Sequence, residues 1–213
     1  MYSRLQFISE GKSPEEHYQQ ILKALKQGAD WIQLRCKFHN ITDIEFVAQM
    51  VKELKLKYNF TYIINDHVSI ALAVDADGVH LGLADQAVLT ARKALGPDKI
   101  IGGTANSYAD IQQRISEGCD YIGLGPLRFT QTKEKLSPIL GLDGYRATLA
   151  KLTEIAQPPI YAIGGVEETD IIPLREIGLH GIAVAGLISQ QLNNPKIIHN
   201  LQNLLHEPLT TTR

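Results

Sequence analysis

The stretch Ile63–Asp85, IINDHVSIALAVDADGVHLGLAD, decides how the fold is read. Short β-rich runs mark its two ends, TYIIN (Thr61–Asn65) and GVHL (Gly78–Leu81), with a longer segment between them. The same alternation extends in both directions. RLQFIS (Arg4–Ser9) and DWIQLR (Asp30–Arg35) precede it; IIGG (Ile100–Gly103), DYIGLG (Asp120–Gly125), PIYAIGG (Pro159–Gly165) and GIAVAG (Gly181–Gly186) follow. The intervening segments carry apolar residues at helical spacing, such as Ile21, Leu22 and Leu25, or Ile44, Val47, Ala48, Val51 and Leu54. Ser13-Pro14-Glu15-Glu16 reads as a helix start, with the hydroxyl at the cap, proline in the first position and acids in the first turn. Gly118 reads as the stop of a later helix. Strand and helix alternating at roughly 20–35 residues per unit point to an α/β chain, a single-domain (β/α)8 TIM barrel closed by eight parallel strands. An open doubly wound sheet is the rival, and it usually needs fewer strands.

Bulk properties agree with one sizeable core. The chain has 213 residues, 44% of them hydrophobic, and a net charge of -2 with charges interspersed. There is no long basic block to favour nucleic acid and no apolar run long enough for a membrane span. The N-terminal sequence lacks the basic-then-apolar order of a signal peptide. Two cysteines, Cys36 and Cys119, make no disulfide framework. These features predict a soluble cytoplasmic enzyme, with a catalytic barrel over 1–206 and a fraying tail over 207–213.

Barrel chemistry sits at the carboxyl ends of the strands, and most of the unusual residues fall there. Arg35 and Lys37 stand at the end of the second run, Asn65 and Asp66 at the end of the third, Asp85 after the fourth and Thr104 after the fifth. Gly164-Gly165 ends the seventh and Ala185-Gly186 the eighth. Each has a plain alternative: surface charges for Arg35 and Lys37, turn chemistry for Asn65-Asp66, a helix cap for Asp85, a tight turn for the glycines. The sixth run opens a polar loop, Gly125–Gly141, GPLRFTQTKEKLSPILG, in which Thr130, Thr132 and Lys133 offer two hydroxyls and an ammonium in close order. A solvated turn explains its polarity; an anion site explains its order.

Arg35, Lys37 and Lys133 are donors suited to phosphoryl oxygens. Asp66 and Asp85 are hard carboxylate ligands of the kind Mg2+ takes while bridging to a substrate phosphate. Gly165 and Gly186 let backbone N–H groups approach an oxyanion where this fold usually binds phosphate. Three cations beside two acids suit a metal-bound diphosphate, and a second phosphate position suggests two phosphorylated substrates.

The segments IQLRCK, IINDHVSIALAVDADGVHLGLAD, DYIGLGPLRFTQTK, AIGGV and GIAVAG, in this order from about residue 31 to 188, resemble the thiamine-phosphate synthase family. The resemblance implies a homodimeric barrel transferase of thiamine biosynthesis. Such an enzyme couples 4-amino-5-hydroxymethyl-2-methylpyrimidine diphosphate to a thiazole phosphate, giving thiamine phosphate and pyrophosphate. It further implies Arg35, Lys37, Asn65 and Lys133 on the diphosphate, Lys133, Arg35 and Lys37 being the catalytic cations. Thr104 would lie near the diphosphate or the pyrimidine, Gln33 on the aminopyrimidine, and Asp66 and Asp85 on Mg2+. Thr130, Thr132, Gly165, Ala185 and Gly186 would hold the thiazole phosphate. The expected mechanism is dissociative: diphosphate departs, a carbocation forms on the exocyclic carbon, and the thiazole nitrogen attacks it, with the loop from Arg128 to Leu140 as a lid.

Six positions at four places depart from the family pattern. Cys36 replaces a glutamate, Leu127-Arg128-Phe129 alter the loop entry, Gly186 replaces a serine, and Thr104 stands for a serine. Arg128 reads either as a phosphate contact or as a solvated charge. His80 reads as a hydrogen-bonded core histidine and Cys119 as packing. Cys36 loses the glutamate's charge while its neighbours point the other way along the strand, so the Arg35–Lys37 pair survives; near the mouth between two cations, its thiol is a candidate for a lowered pKa and redox control. The rival functions are a thiazole tautomerase-like isomerase, another phosphate-binding barrel enzyme such as an epimerase or aldolase, and a non-catalytic phosphate-ligand-binding barrel.

Overall fold

The computed structural model describes residues 2–37, 39–129, 138–152 and 157–209. Eight parallel strands, β1 to β8, close into a barrel in chain order: Leu5–Ile8, Trp31–Leu34, Thr61–Asn65, Gly78–Leu81, Ile100–Ala105, Tyr121–Leu124, Ile160–Ile163 and Gly181–Val184. The return pairing of β8 on β1, with Leu5 opposite Ile182 and Phe7 opposite Val184, removes both sheet edges and rules out the open sheet. Helices α1 (Pro14–Lys26), α2 (Ile41–Glu53), α3 (Val68–Ala73), α4 (Val88–Leu95), α5 (Tyr108–Ser116), α6 (Gly141–Leu149), α7 (Ile171–Glu176), α8 (Gly186–Ser189) and α9 (Ile197–His206) cover the outside.

Local chemistry sets the helix ends. The Ser13 side chain accepts from Glu16 N at 3.2 Å with Pro14 in the first turn. Asn40 caps α2 by accepting from Asp43 N at 2.9 Å, and Ser107 caps α5 by accepting from Asp110 N. Gly118 follows α5 with φ 79°, a conformation that costs glycine little. Among the described residues no helix is long and apolar enough to cross a membrane.

Period-two alternation divides each strand between two environments. Ile32, Leu34, Tyr62, Ile64, Val79 and Leu81 pack with helix residues in the main core. Trp31, Ile63, Tyr121, Tyr161 and Ala183 form a separate buried cluster inside the barrel, closed by Tyr2. Trp31 meets Tyr121 and Tyr161 edge-on, with centroids 5.0 and 5.2 Å apart. Gly102 on β5 makes this possible, because a Cβ there would lie 2.1 Å from Tyr121 Cζ. Above the aromatic layer the interior turns polar, and Gln6, Gln33, Asn65 and His80 are all buried. That change of layer brings polar chemistry to the carboxyl ends of the strands.

Candidate functional site

Two hydrogen-bonded groups build the floor of the mouth. Gln33 on β2 donates from Nε2 to Asn65 Oδ1 on β3 at 2.9 Å, which orients both amides. On the other side Gln6 donates to the Tyr121 hydroxyl at 3.2 Å, Tyr121 lies 3.1 Å from His80 Nδ1, and His80 Nε2 lies 3.0 Å from Thr104 Oγ1. Burial pushes the Tyr121 phenol well above its ordinary value, so it stays protonated. The contacts are compatible with a relay from Gln6 to Tyr121, Tyr121 to His80 and His80 to Thr104, the imidazole roles depending on its tautomer. His80 is therefore the hydrogen-bonded core histidine expected from the sequence, and its neighbour Gln6 was missed although its alternation with Phe7 marks it as inward.

Above this floor stand the charges. Asp66 follows β3 in the left-handed region, φ 66°, with its N–H donating to the His80 carbonyl at 2.8 Å. Aspartate tolerates this conformation better than most side chains. Burial and a hydrogen-bonding, like-charged Asp85 push the Asp66 carboxyl up to about 7, while Lys37 and Arg35 pull it back. The two carboxyl groups and the two cations therefore act on one another at one mouth. Asp85 is exposed and its carboxylate accepts from Gly82 N. It caps that turn and not the following helix, since α4 begins at Val88 behind Ala87. Arg35 is half-buried; burial lowers its pKa, and Asp66 and Glu10 oppose the shift. Its backbone N–H donates to Ser9 Oγ at 3.3 Å. Lys37 stands exposed on the loop beyond.

The glycine side of the mouth is organised by Arg128. Its guanidinium clasps the buried Asp170 carboxylate with both terminal nitrogens, Nη2 to Oδ1 at 2.7 Å, and Nη1 also donates to the Gly165 carbonyl at 3.0 Å. Asp170 further accepts from Glu167 N at 2.8 Å. Arg128 is thus neither a free surface charge nor placed by its own bonds as a phosphate contact; it ties the entry of the loop to the turn before α7. Gly164 and Gly165 adopt φ 77° and 70°, and a Cβ on Gly165 would stand 2.8 Å from Arg128 Cβ. Ala185 and Gly186 lie at the end of β8 and start of α8, where the Ala185 carbonyl accepts from Ile188 N and Ser189 N. Thr130, Thr132 and Lys133, with the middle of the expected lid, lie outside the described residues.

Cys36 corrects the sequence reading. Its side chain leaves the strand opposite to Arg35 and is buried in the main core, and burial pushes its thiol up to about 12. The flanking cations do not make it a reactive thiolate. Cys119 is likewise buried in the core.

A family model described as thiamine monophosphate synthase matches residues 5–188. A thiamine-phosphate synthase of Flavobacterium johnsoniae is 49% identical over 207 residues, covering 97% of this chain and 98% of the relative. One from Flavobacterium psychrophilum is 47% identical over 206 residues, covering 96% and 100%. The solved structure of a thiamine phosphate pyrophosphorylase from Pyrococcus furiosus superposes with a TM-score of 0.81 at 27% identity, over 96% of each chain. Nearly the whole barrel, both strand-end acids included, falls inside the matched region, and the chain belongs to the thiamine monophosphate synthase family.

Proposed function

We propose that this protein joins 4-amino-5-hydroxymethyl-2-methylpyrimidine diphosphate to a thiazole phosphate, releasing pyrophosphate and forming thiamine phosphate. The observation that carries the reading is the placement of Arg35, Lys37, Asp66 and Asp85 just beyond the carboxyl ends of β2, β3 and β4, in a chain that matches thiamine monophosphate synthase over residues 5–188. Two carboxyl groups beyond neighbouring strands favour a shared cation, and hard oxygen donors fit Mg2+. Asp66 and Asp85 would hold it, and a bound Mg2+ supplies charge neutralisation to a diphosphate leaving group.

The chain's own residues do the rest. Gln33 holds Asn65 so that the Asn65 amide N–H groups are turned to donate to a diphosphate oxygen. Arg35, Lys37 and Lys133 neutralise the charge that grows on the departing group, an electrostatic contribution that is commonly the largest one in such reactions. The bond from the exocyclic carbon to diphosphate oxygen breaks, and its electron pair leaves with pyrophosphate. The electron-rich aminopyrimidine, oriented by Gln33, stabilises the cation left behind. The thiazole nitrogen then supplies the pair for the new carbon–nitrogen bond. Thr104 lies near the diphosphate or the pyrimidine, while Gly165, Ala185, Gly186, Thr130 and Thr132 hold the thiazole phosphate. Incubating the protein with both substrates and Mg2+ and measuring pyrophosphate and thiamine phosphate tests the reading. A tautomerase or a binding protein releases no pyrophosphate.

A further inference from the structure

A second group of ligand-type side chains lies outside the mouth. His17 on α1 and Cys36 and His39 on the loop after β2 each offer one ligand atom, and these three atoms all lie within 4.8 Å of one another. His17 and Cys36 are buried and His39 is half-buried. The His17 and His39 rings meet edge-on, with centroids 5.2 Å apart. Both ring nitrogens of His39 are shielded from solvent and neither has a hydrogen-bond partner among the described residues. Shielding an imidazole without pairing either nitrogen is costly, and such groups are rare in folded proteins. The arrangement is explained if something else binds there.

We propose that His17, Cys36 and His39 form a binding site for a soft or borderline divalent cation, of which Zn2+ is the type. Two imidazoles and a thiolate are a zinc-type donor set, unlike the all-oxygen pair Asp66 and Asp85. Zn2+ distances of about 2.3 Å to sulfur and 2.0–2.1 Å to nitrogen put ligand atoms roughly 3.5 Å apart, so the three side chains close by about an ångström. Ser9 Oγ, 2.9 Å from His17 Nδ1, orients that ring in the way outer partners orient metal-binding histidines. The Cys36 thiol gives up its proton as the sulfur–metal bond forms, and the proton is released to solvent. Three protein ligands leave a fourth position for water. Cys36 and His39 bracket Lys37 and adjoin Arg35, so a metal here staples the cation-bearing loop to α1.

The test is a titration of the purified full-length protein with Zn2+, and with Co2+ as its coloured substitute. One equivalent of Zn2+ should remain after desalting and raise the melting temperature, which Mg2+ at this site should not do. Co2+ should give the thiolate-to-metal absorption and strong visible bands of a four-coordinate site. Both signals should vanish in Cys36→Ser and in His39→Ala, the latter keeping the proposal testable if the buried cysteine variant fails to fold. Ser9→Ala should weaken binding by about 10–100-fold. Cys119→Ser and Asp66→Asn should leave the Co2+ spectrum unchanged. Absence of tight Zn2+ binding, or a Co2+ spectrum that survives Cys36→Ser and His39→Ala, overturns the proposal. None of these readouts depends on coupling activity.

Discussion

Replacing Arg128 with alanine tests the physical account of the mouth most sharply, because the sequence leaves the role of this residue open and the structure gives it one. The Asp170 side chain is 4% exposed, and Arg128, at 43%, covers it with two charge-assisted bonds. Without the guanidinium, Glu167 N is the donor left to the carboxylate among the described residues. A hydrogen bond to a charged group contributes about 1.5–3 kcal/mol, and breaking a fully buried pair costs about 3–5 kcal/mol. The half-exposed arginine is screened by water, which brings the expected loss down to about 2 kcal/mol. For a chain of this length that lowers the melting temperature by about 4–8 °C. Burial by itself raises the Asp170 pKa, but Arg128 and the Glu167 N–H together hold it below the ordinary carboxylate range. A depressed carboxylate stabilises the fold above its unfolded pKa of about 3.9 and loses that contribution as pH falls through the lower native value. The penalty of Arg128→Ala should therefore be full at pH 7 and shrink below about pH 4. Urea melts of Arg128→Ala, Asp170→Asn and the double variant complete a cycle whose coupling should be about 1–2 kcal/mol. A variant that melts with the parent, or single effects that simply add, refutes the clasp.

Other perturbations follow from the same geometry. Asp66→Asn should abolish Mg2+-dependent coupling without lowering the melting temperature, since asparagine tolerates the left-handed backbone and the change relieves crowding with Asp85; a variant with near-normal activity removes Asp66 from the metal assignment. Gly102→Ala should destabilise by about 3 kcal/mol or prevent folding, because its Cβ meets Tyr121 at 2.1 Å; a stable variant measured by urea unfolding contradicts the interior packing. Tyr121→Phe breaks the donor chain that orients His80 and Thr104, and should cost about 1–3 kcal/mol along with some turnover; unchanged melting and kcat argue against that chain.

Much of the barrel was legible because burial imposes a simple rhythm. All eight β-rich runs fall on the observed strands, most matching or trimmed by a residue or two, as at Leu5–Ile8 inside Arg4–Ser9, while β5 runs two residues past Ile100–Gly103 to Ala105 and takes in Thr104. The end-of-strand rule then gathered Arg35, Lys37, Asn65, Asp66, Asp85 and Thr104 at one mouth. What stayed hidden was pairing across long separations. Arg128 finds Asp170 42 residues away, and Gln6 reaches Tyr121 across 115, so neither partner is announced by local spacing. At Cys36 alternation is legible, since the sulfur turns away from its neighbours, but burial raises the thiol pKa where the flanking cations suggest a lowered one. Asp85 needed the actual start of α4 to separate a turn cap from a helix cap.

The central claim is that the charges at the mouth serve the departure of a diphosphate. Stoichiometric pyrophosphate measurement with both substrates and Mg2+ addresses it directly. The account predicts one pyrophosphate for each thiamine phosphate formed, with loss of both products in Asp66→Asn. Isomerised thiazole phosphate without pyrophosphate, or no turnover by the folded protein, contradicts it.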